Sequence, residues 1–159
     1  MAHIVRHVRA GGASALAHYP HAVRVGELVF VSGTSSRCAG DGPLRHDGVT
    51  LVHDASGAVV DVAFDIVAQT AAVLRNIDGH LRSAGLALND VVDMTVFLVD
   101  MADYAGMNTA WNAAFPDPLA APARTTVAVA ALPHPHLRVE MKAVAAGAPK
   151  EQRHGRDAL

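Results

Sequence analysis

The sequence predicts a single α+β domain, and three observations lead to it. Short runs of β-prone apolar residues open the patterned part of the chain and close it. Between them lie two segments whose apolar residues recur at helical spacing, and one more β-prone run separates those two segments. The order is therefore strands, helix, strand, helix, two strands, and two helices can cover only one face of such a sheet. A chain of 159 residues is the usual size of one domain and long enough to bury a core.

Through about His18 the chain is rich in Ala, Gly and His without a clear period, so residues 1–18 read as an N-terminal arm. Residues 24–32 read as the first strand, carried by the β-prone Leu28, Val29, Phe30 and Val31 and ended by Gly33. Cys38, Gly40, Gly42, Pro43 and Gly48 give residues 37–48 the chemistry of a loop. Val49 to Val52 form a second short run, and Ser56-Gly57 a turn into Val59-Val60. From Asp61 the period changes. Val62, Ile66, Val73, Ile77 and Leu81 fall at spacings of four and seven, predicting a helix with Asp61 as its N-cap and Gly85 as its stop. Residues 90–99, rich in Val, Met, Thr and Phe, read as a central strand. Residues 100–115 place Met101, Tyr104, Asn108, Trp111 and Phe115 at helical spacing, and Pro116 and Pro118 prevent continuation. Residues 124–131 and 137–146 read as the last strands, joined around Pro133 and Pro135, and residues 147–159 as a polar tail.

Bulk properties narrow the function. Hydrophobic residues make up 51% of the chain, yet alanine and valine supply much of that. No run approaches the ~18 apolar residues of a membrane span. Residues Met1 to His7 lack the long apolar segment of a secretory leader, so a soluble, cytoplasmic protein is expected. A net charge of −2 with 13 dispersed basic residues offers no track for a phosphate backbone, so nucleic acid is not an expected partner. Cys38 is the one cysteine and cannot form an internal disulfide. The ten histidines are scattered and no ligand spacing of the HExxH or Cys/His kind occurs, so no metal is expected.

The stretch from Pro122 to Val144 carries the chemistry. Side chains alternate along a strand, so Arg124, Thr126, Ala128 and Ala130 share one face of the first run. Arg138, Glu140 and Lys142 oppose Val139, Met141 and Ala143 in the second. The expectation is that Arg124 and Glu140 occupy a single polar face, turned away from the helices. That face also carries Ala128, Ala130 and Val144, which favours burial against copies of the same chain. An arginine fork on a rigid strand is a receptor for a carboxylate, and a nearby glutamate handles a proton or a water. The plainer alternatives are a structural ion pair for Arg124 and a cross-strand partner, Arg138, Lys142 or Arg124, for Glu140. His134-Pro135-His136 is open between a metal pair, a proton shuttle and a polar connection.

Pro122-Ala123-Arg124-Thr125-Thr126-Val127, then Leu132-Pro133, then Val139-Glu140-Met141-Lys142-Ala143-Val144-Ala145, resembles the signature of the Rid (reactive intermediate deaminase, or YjgF) family. Val31-Ser32-Gly33-Thr34-Ser35-Ser36-Arg37 and Leu132-Pro133-His134-Pro135-His136-Leu137 resemble most its 2-aminomuconate deaminase branch, and the likeness spans about Tyr19 to Ala145. It implies a chorismate-mutase-like fold, a mixed sheet with two helices on one face, assembled as a homotrimeric barrel with active sites in clefts between subunits. It implies that Arg124 binds a substrate carboxylate, that Glu140 positions or activates water, and that Tyr19, Ser32 and Asn108 complete the pocket. Many members carry cysteine where this chain has Thr126, so thiol chemistry is not required, and Thr126 remains as a donor to the carboxylate. Ser35, Ser36 and Arg37 follow Ser32-Gly33-Thr34 and point to a site for a second anionic group, with His136 as a wall at the distal end. The implied activity is cofactor-free hydrolysis of a 2-enamino or 2-imino acid, 2-aminomuconate to 4-oxalocrotonate and ammonia, in aromatic catabolism. A 2-aminoacrylate-type imine deaminase and a non-catalytic, carboxylate-binding or chaperone-like trimer are the competing readings.

Overall fold

A six-stranded mixed sheet organises the chain, in the order β1-β2-β3-β8-β6-β7. Its strands are β1 (Ile4–His7), β2 (Ala22–Val25), β3 (Leu28–Thr34), β6 (Val91–Leu98), β7 (Ala123–Ala128) and β8 (Val139–Ala146). Two helices, α1 (Ile66–Ser83) and α2 (Tyr104–Ala114), pack on one face, and β4 (Val49–His53) pairs with β5 (Val59–Phe64) as a separate ribbon. The computed structural model describes residues 3–39 and 46–148. Residues 40–45 of the expected loop and 149–159 of the expected polar tail lie outside the described residues. Among the described residues no helix is long and apolar enough to cross a membrane.

The core lies between the helices and one sheet face. Val29 and Val31 of β3, Met94, Val96 and Leu98 of β6, and Val139, Met141 and Ala143 of β8 alternate inward to meet Val73, Ile77 and Leu81 of α1 and Met107 and Trp111 of α2. The spacing of the apolar positions on α1 is thus the reason it seats where it does. The opposite face has no cover among the described residues. Leu28 and Phe30 lie on it at 42% and 39% exposure, with Phe97, Val127 and Val144 beside them.

Several expectations are corrected. The arm holds strand β1, which pairs antiparallel with β2 through Ile4↔Val25 to His7↔Ala22. The first strand is a hairpin of two strands turned at Gly26-Glu27, where Gly26 takes φ +59°, and Arg24 within it is buried by donating to the carbonyls of Gly26, Ala84 and Gly147. The N-cap of α1 is Asp65, whose carboxylate accepts from the Ala68 N–H, while Asp61 sits within β5. Val62 mimics the helical period only because β5 runs directly into the helix. The expected stop holds: Gly85, at φ +78°, donates to the Arg82 carbonyl and Leu86 to that of Leu81, closing a Schellman motif. The last two strands are not neighbours. β6 lies between them, parallel to β7 and antiparallel to β8.

Asp65→Ala should lower unfolding free energy by about 1 kcal/mol, the usual cost of losing a helix cap. Asp61→Ala should stay within about 0.5 kcal/mol. Urea unfolding of the two variants checks the assignment, and the reverse ranking would return the cap to Asp61.

Candidate active site

Register decides how the expected site residues are arranged. Along the β6–β7 ladder Arg124 stands beside Met94 and Thr126 beside Val96, so both lie on the helix side of the sheet. Along the β6–β8 ladder Glu140 stands beside Phe97 and Lys142 beside Thr95, on the uncovered side. Arg124 and Glu140 of one chain therefore occupy opposite faces. The expectation of a shared polar face is wrong, because alternation within each strand says nothing about the parity between two strands separated by a third.

Arg124 forms one cluster with α2. Its Nη1 donates to Asn108 Oδ1 at 2.9 Å and its Nη2 to the Tyr104 hydroxyl at 3.3 Å. The guanidinium carbon lies 4.6 Å from the centre of the Trp111 ring. These groups hold the fork in place without neutralising it, and among the described residues Arg124 has no carboxylate partner. That argues against the structural ion pair. Thr126 follows on the same face, with a buried hydroxyl that has no partner among the described residues.

Glu140 belongs to a second cluster, which lines a cavity with Tyr19, Ser32 and Arg37. Arg138, one of the three cations open to it as a cross-strand partner, turns instead to Asp103 at 2.8 Å and Asp100 at 3.6 Å. Burial with no compensating cation pushes the Glu140 carboxyl above its ordinary range. The space for it is made by the Ser32-Gly33 step, where β3 has one residue more than β8 between Val31↔Ala143 and Thr34↔Met141. A Cβ on Gly33 would stand 2.6 Å from Glu140 Oε1, so a larger residue there would displace the carboxylate from its present position. Ser32 donates its hydroxyl to the Pro20 carbonyl at 2.7 Å, which fixes the lead-in that carries Tyr19. Arg37 donates to the Ser14 carbonyl at 2.9 Å.

His136 joins neither cluster. Its ring packs among His134, His46 and Phe64, and its carbonyl accepts from Gln69, so it does not line the cavity. Burial, then His134 and His136, pull the His46 imidazole down to about 4. Among the described residues no set of His, Cys, Asp and Glu is grouped as metal ligands.

Sequence reasoning missed the polar residues that α1 brings to the cavity. Asn76 donates to the carbonyls of Ser35 and Arg37, both at 2.9 Å, and so holds that segment on α1. His80, one turn later and 6% exposed, lines the cavity and stacks on His21 with ring centres 4.4 Å apart. Burial, then His21 and Arg9, pull the His80 imidazole down to about 4. The signal was present: His80 lies three residues beyond Ile77, within the apolar stripe of α1, where a surface histidine does not belong.

The sequence model of the Endoribonuclease L-PSP family matches residues 11–147. The chain belongs to this family. It is the Rid, or YjgF, group that the motifs resemble. The chain is 35% identical over 127 residues to a RutC family protein of Pyrococcus abyssi, covering 80% of this chain and 84% of that one. It is 32% identical over 133 residues to the 2-iminobutanoate/2-iminopropanoate deaminase of Salmonella typhimurium, covering 83% and 89%. The crystal structure of E. coli TdcF with bound serine superposes with a TM-score of 0.69 at 26% identity, over 91% of this chain and 99% of that one. The α+β fold with a mixed sheet and two helices is that of these structures.

The raised carboxyl of Glu140 makes a stability prediction. A proton held more tightly in the folded than in the unfolded state stabilises the fold in acid. That stability is lost as pH climbs from the unfolded value of ~4.3 through the raised folded value. Glu140→Gln should therefore melt higher than wild type at pH 8, with the difference closing towards pH 4. Identical melting temperatures at pH 8 would show the carboxylate to be solvated.

Proposed function

We propose that this chain is a deaminase of 2-enamino and 2-imino acids and that its active site is completed between copies of the chain. The carrying observation is a held but uncompensated guanidinium, Arg124, on one face of the sheet and a half-buried carboxylate, Glu140, without a cation partner among the described residues, on the other. Neither can serve the other within a subunit. The uncovered face that bears Glu140 also carries Phe30, Leu28 and Val127, and the β4–β5 ribbon exposes Leu51, Val59 and Val60. Apolar surface of this extent supports self-association, and a homotrimer is the assembly we propose.

In this reading Arg124 of one subunit grips the C1 carboxylate bidentately and Glu140 of its neighbour faces the nitrogen-bearing carbon. The enamine tautomerises to the imine. Glu140, ionised despite its raised pKa, takes a proton from water as the water adds to that carbon. Glu140 returns that proton to nitrogen to give the carbinolamine, then relays the hydroxyl proton to nitrogen as the C–N bond breaks, so that ammonia leaves and the 2-oxo acid remains. The imine is electrophilic enough for the residues alone to carry these steps. The serine bound to TdcF and the imino-acid name of the Salmonella relative support a small amino-acid-like substrate.

We further propose 2-aminomuconate as the substrate, since Ser35 and Arg37 line the Glu140 cavity and suit a second carboxylate. The name of the Salmonella relative favours short imino acids as the other reading. Ammonia release from 2-aminomuconate against that from 2-iminobutanoate separates them. The family's name is that of an endoribonuclease, but a cavity with a half-buried carboxylate beside a single guanidinium is not a track for phosphates.

Loss of one charge-assisted contact, ~1.5 to 3 kcal/mol, should make Arg124→Ala slower in kcat/KM by roughly 10- to 150-fold. Glu140→Gln should lower kcat more than it raises KM. Mixing the two variants during refolding provides the decisive measurement. Random assembly rebuilds about a quarter of the sites from one intact Arg124 and one intact Glu140. Recovered turnover is expected, and none at all would place the whole site within one chain.

A further inference from the structure

Tyr19, Ser32, Gly33, Pro133 and Glu140 line two adjoining spaces. The outer one, of about 450 Å³, opens beside Lys142 on the uncovered sheet face. The inner one, of about 70 Å³, runs past Ser35 and Arg37 to the buried rings of His21 and His80. Glu140 thus sits at the junction, with a small polar chamber on the side away from the expected subunit seam. That chamber has room for a few water molecules or one carboxylate.

The walls of the chamber are rigid and their proton positions are settled by bonding. The Arg9 backbone N–H donates to His21 Nδ1 at 2.9 Å, so that nitrogen is an acceptor. His21 Nε2 must then carry the hydrogen, and it donates to the Ala13 carbonyl at 3.0 Å. His21 is therefore a plate fixed at both ring nitrogens. His80 lies against it at an interplanar angle of 15°, and its Nδ1 is buried with no partner among the described residues. A buried nitrogen left unsatisfied is costly unless something else meets it. Asn76 ties the Arg37 segment to the same helix, so the guanidinium and the imidazole keep a constant relation.

We infer that His80 is a specificity-determining residue, which with Arg37 takes the distal carboxylate of a two-ended substrate in this inner chamber. The inference rests on the deaminase reading of Glu140 and names the residue that would read the far end of the molecule. In the empty chamber the ring is neutral. Burial and the Arg9 cation oppose its protonation, while Arg37 and Glu140 line the cavity it faces. An entering carboxylate reverses that balance, the ring takes up a proton, and the contact becomes charge-assisted.

The test uses adipate and hexanoate, unreactive six-carbon acids that differ only in the second carboxylate. Calorimetric titration of the full chain should show tighter binding of adipate, with net proton uptake at pH 6 that hexanoate does not produce. His80→Leu should reduce the adipate-to-hexanoate preference by roughly ten- to hundredfold, the scale of one charge-assisted hydrogen bond. His80→Gln, which keeps a donor, should fall between the two. A wild-type protein without preference or without extra proton uptake overturns the inference, and so does a preference that survives His80→Leu. The wild-type measurements decide even if the leucine variant does not fold. The deaminase reading is judged separately, by whether wild type releases ammonia from 2-iminobutanoate.

Discussion

The arrangement of the whole molecule depends on the register of β6, the strand that pairs with β8 on one side and β7 on the other. Successive side chains of a strand point to opposite faces, and laddered neighbours share a face. Once Met94, Val96 and Leu98 are buried under the helices, Arg124 must lie with them and Glu140 must lie with Phe97. No rotamer can reverse this, because a change of face needs a one-residue slip that would also expose the core. The guanidinium and the carboxyl group to which the proposed function gives carboxylate binding and water activation are thereby built into one short stretch of chain and kept apart within it.

The elements that sequence revealed are those whose pattern is local. The apolar stripe of α1 from Ile66 to Leu81, the Gly85 stop, the central run that becomes β6 and the end of α2 before Pro116 all report themselves. β1 does not, since a four-residue edge strand of Ile, Val, Arg and His gains its structure from pairing with β2 rather than from its own preferences. The strand-to-helix junction at Asp65 was displaced to Asp61, because both aspartates precede apolar residues and only tertiary packing distinguishes them. Among site residues, chemical type could be read from the motif, but placement could not. Tyr19, Ser32, Arg37 and Glu140 do converge, Asn108 and Thr126 join Arg124, and His136 belongs to a separate imidazole cluster. Convergence depends on strand order, which a pattern of alternation does not contain.

Both clusters carry uncompensated polarity. Arg124 is held by an amide oxygen, a hydroxyl and a π face, a set that orients a cation without satisfying its charge. Glu140 is half-buried beside a glycine and has no cation partner among the described residues, while Arg138, two residues away, takes two aspartates. A sequence selected only for stability would pair these groups. Leaving them unpaired makes sense where a ligand supplies the missing partner, the usual tension between a stable site and a working one.

The uncovered sheet face links this chemistry to assembly. Phe30, Leu28 and Val127 form an apolar surface that water penalises, and Glu140 stands on the same face. A neighbour that covers this surface removes water from around the carboxylate and, in the proposed arrangement, brings an arginine to it. The carboxyl is then further desolvated but gains a cation and a bound anion's hydrogen bonds within reach, opposing effects that leave it a usable base. The interface that would stabilise the fold is on this argument the same one that sets the proton affinity of the acid. Substitutions of its apolar residues should therefore not separate into purely structural and purely functional classes.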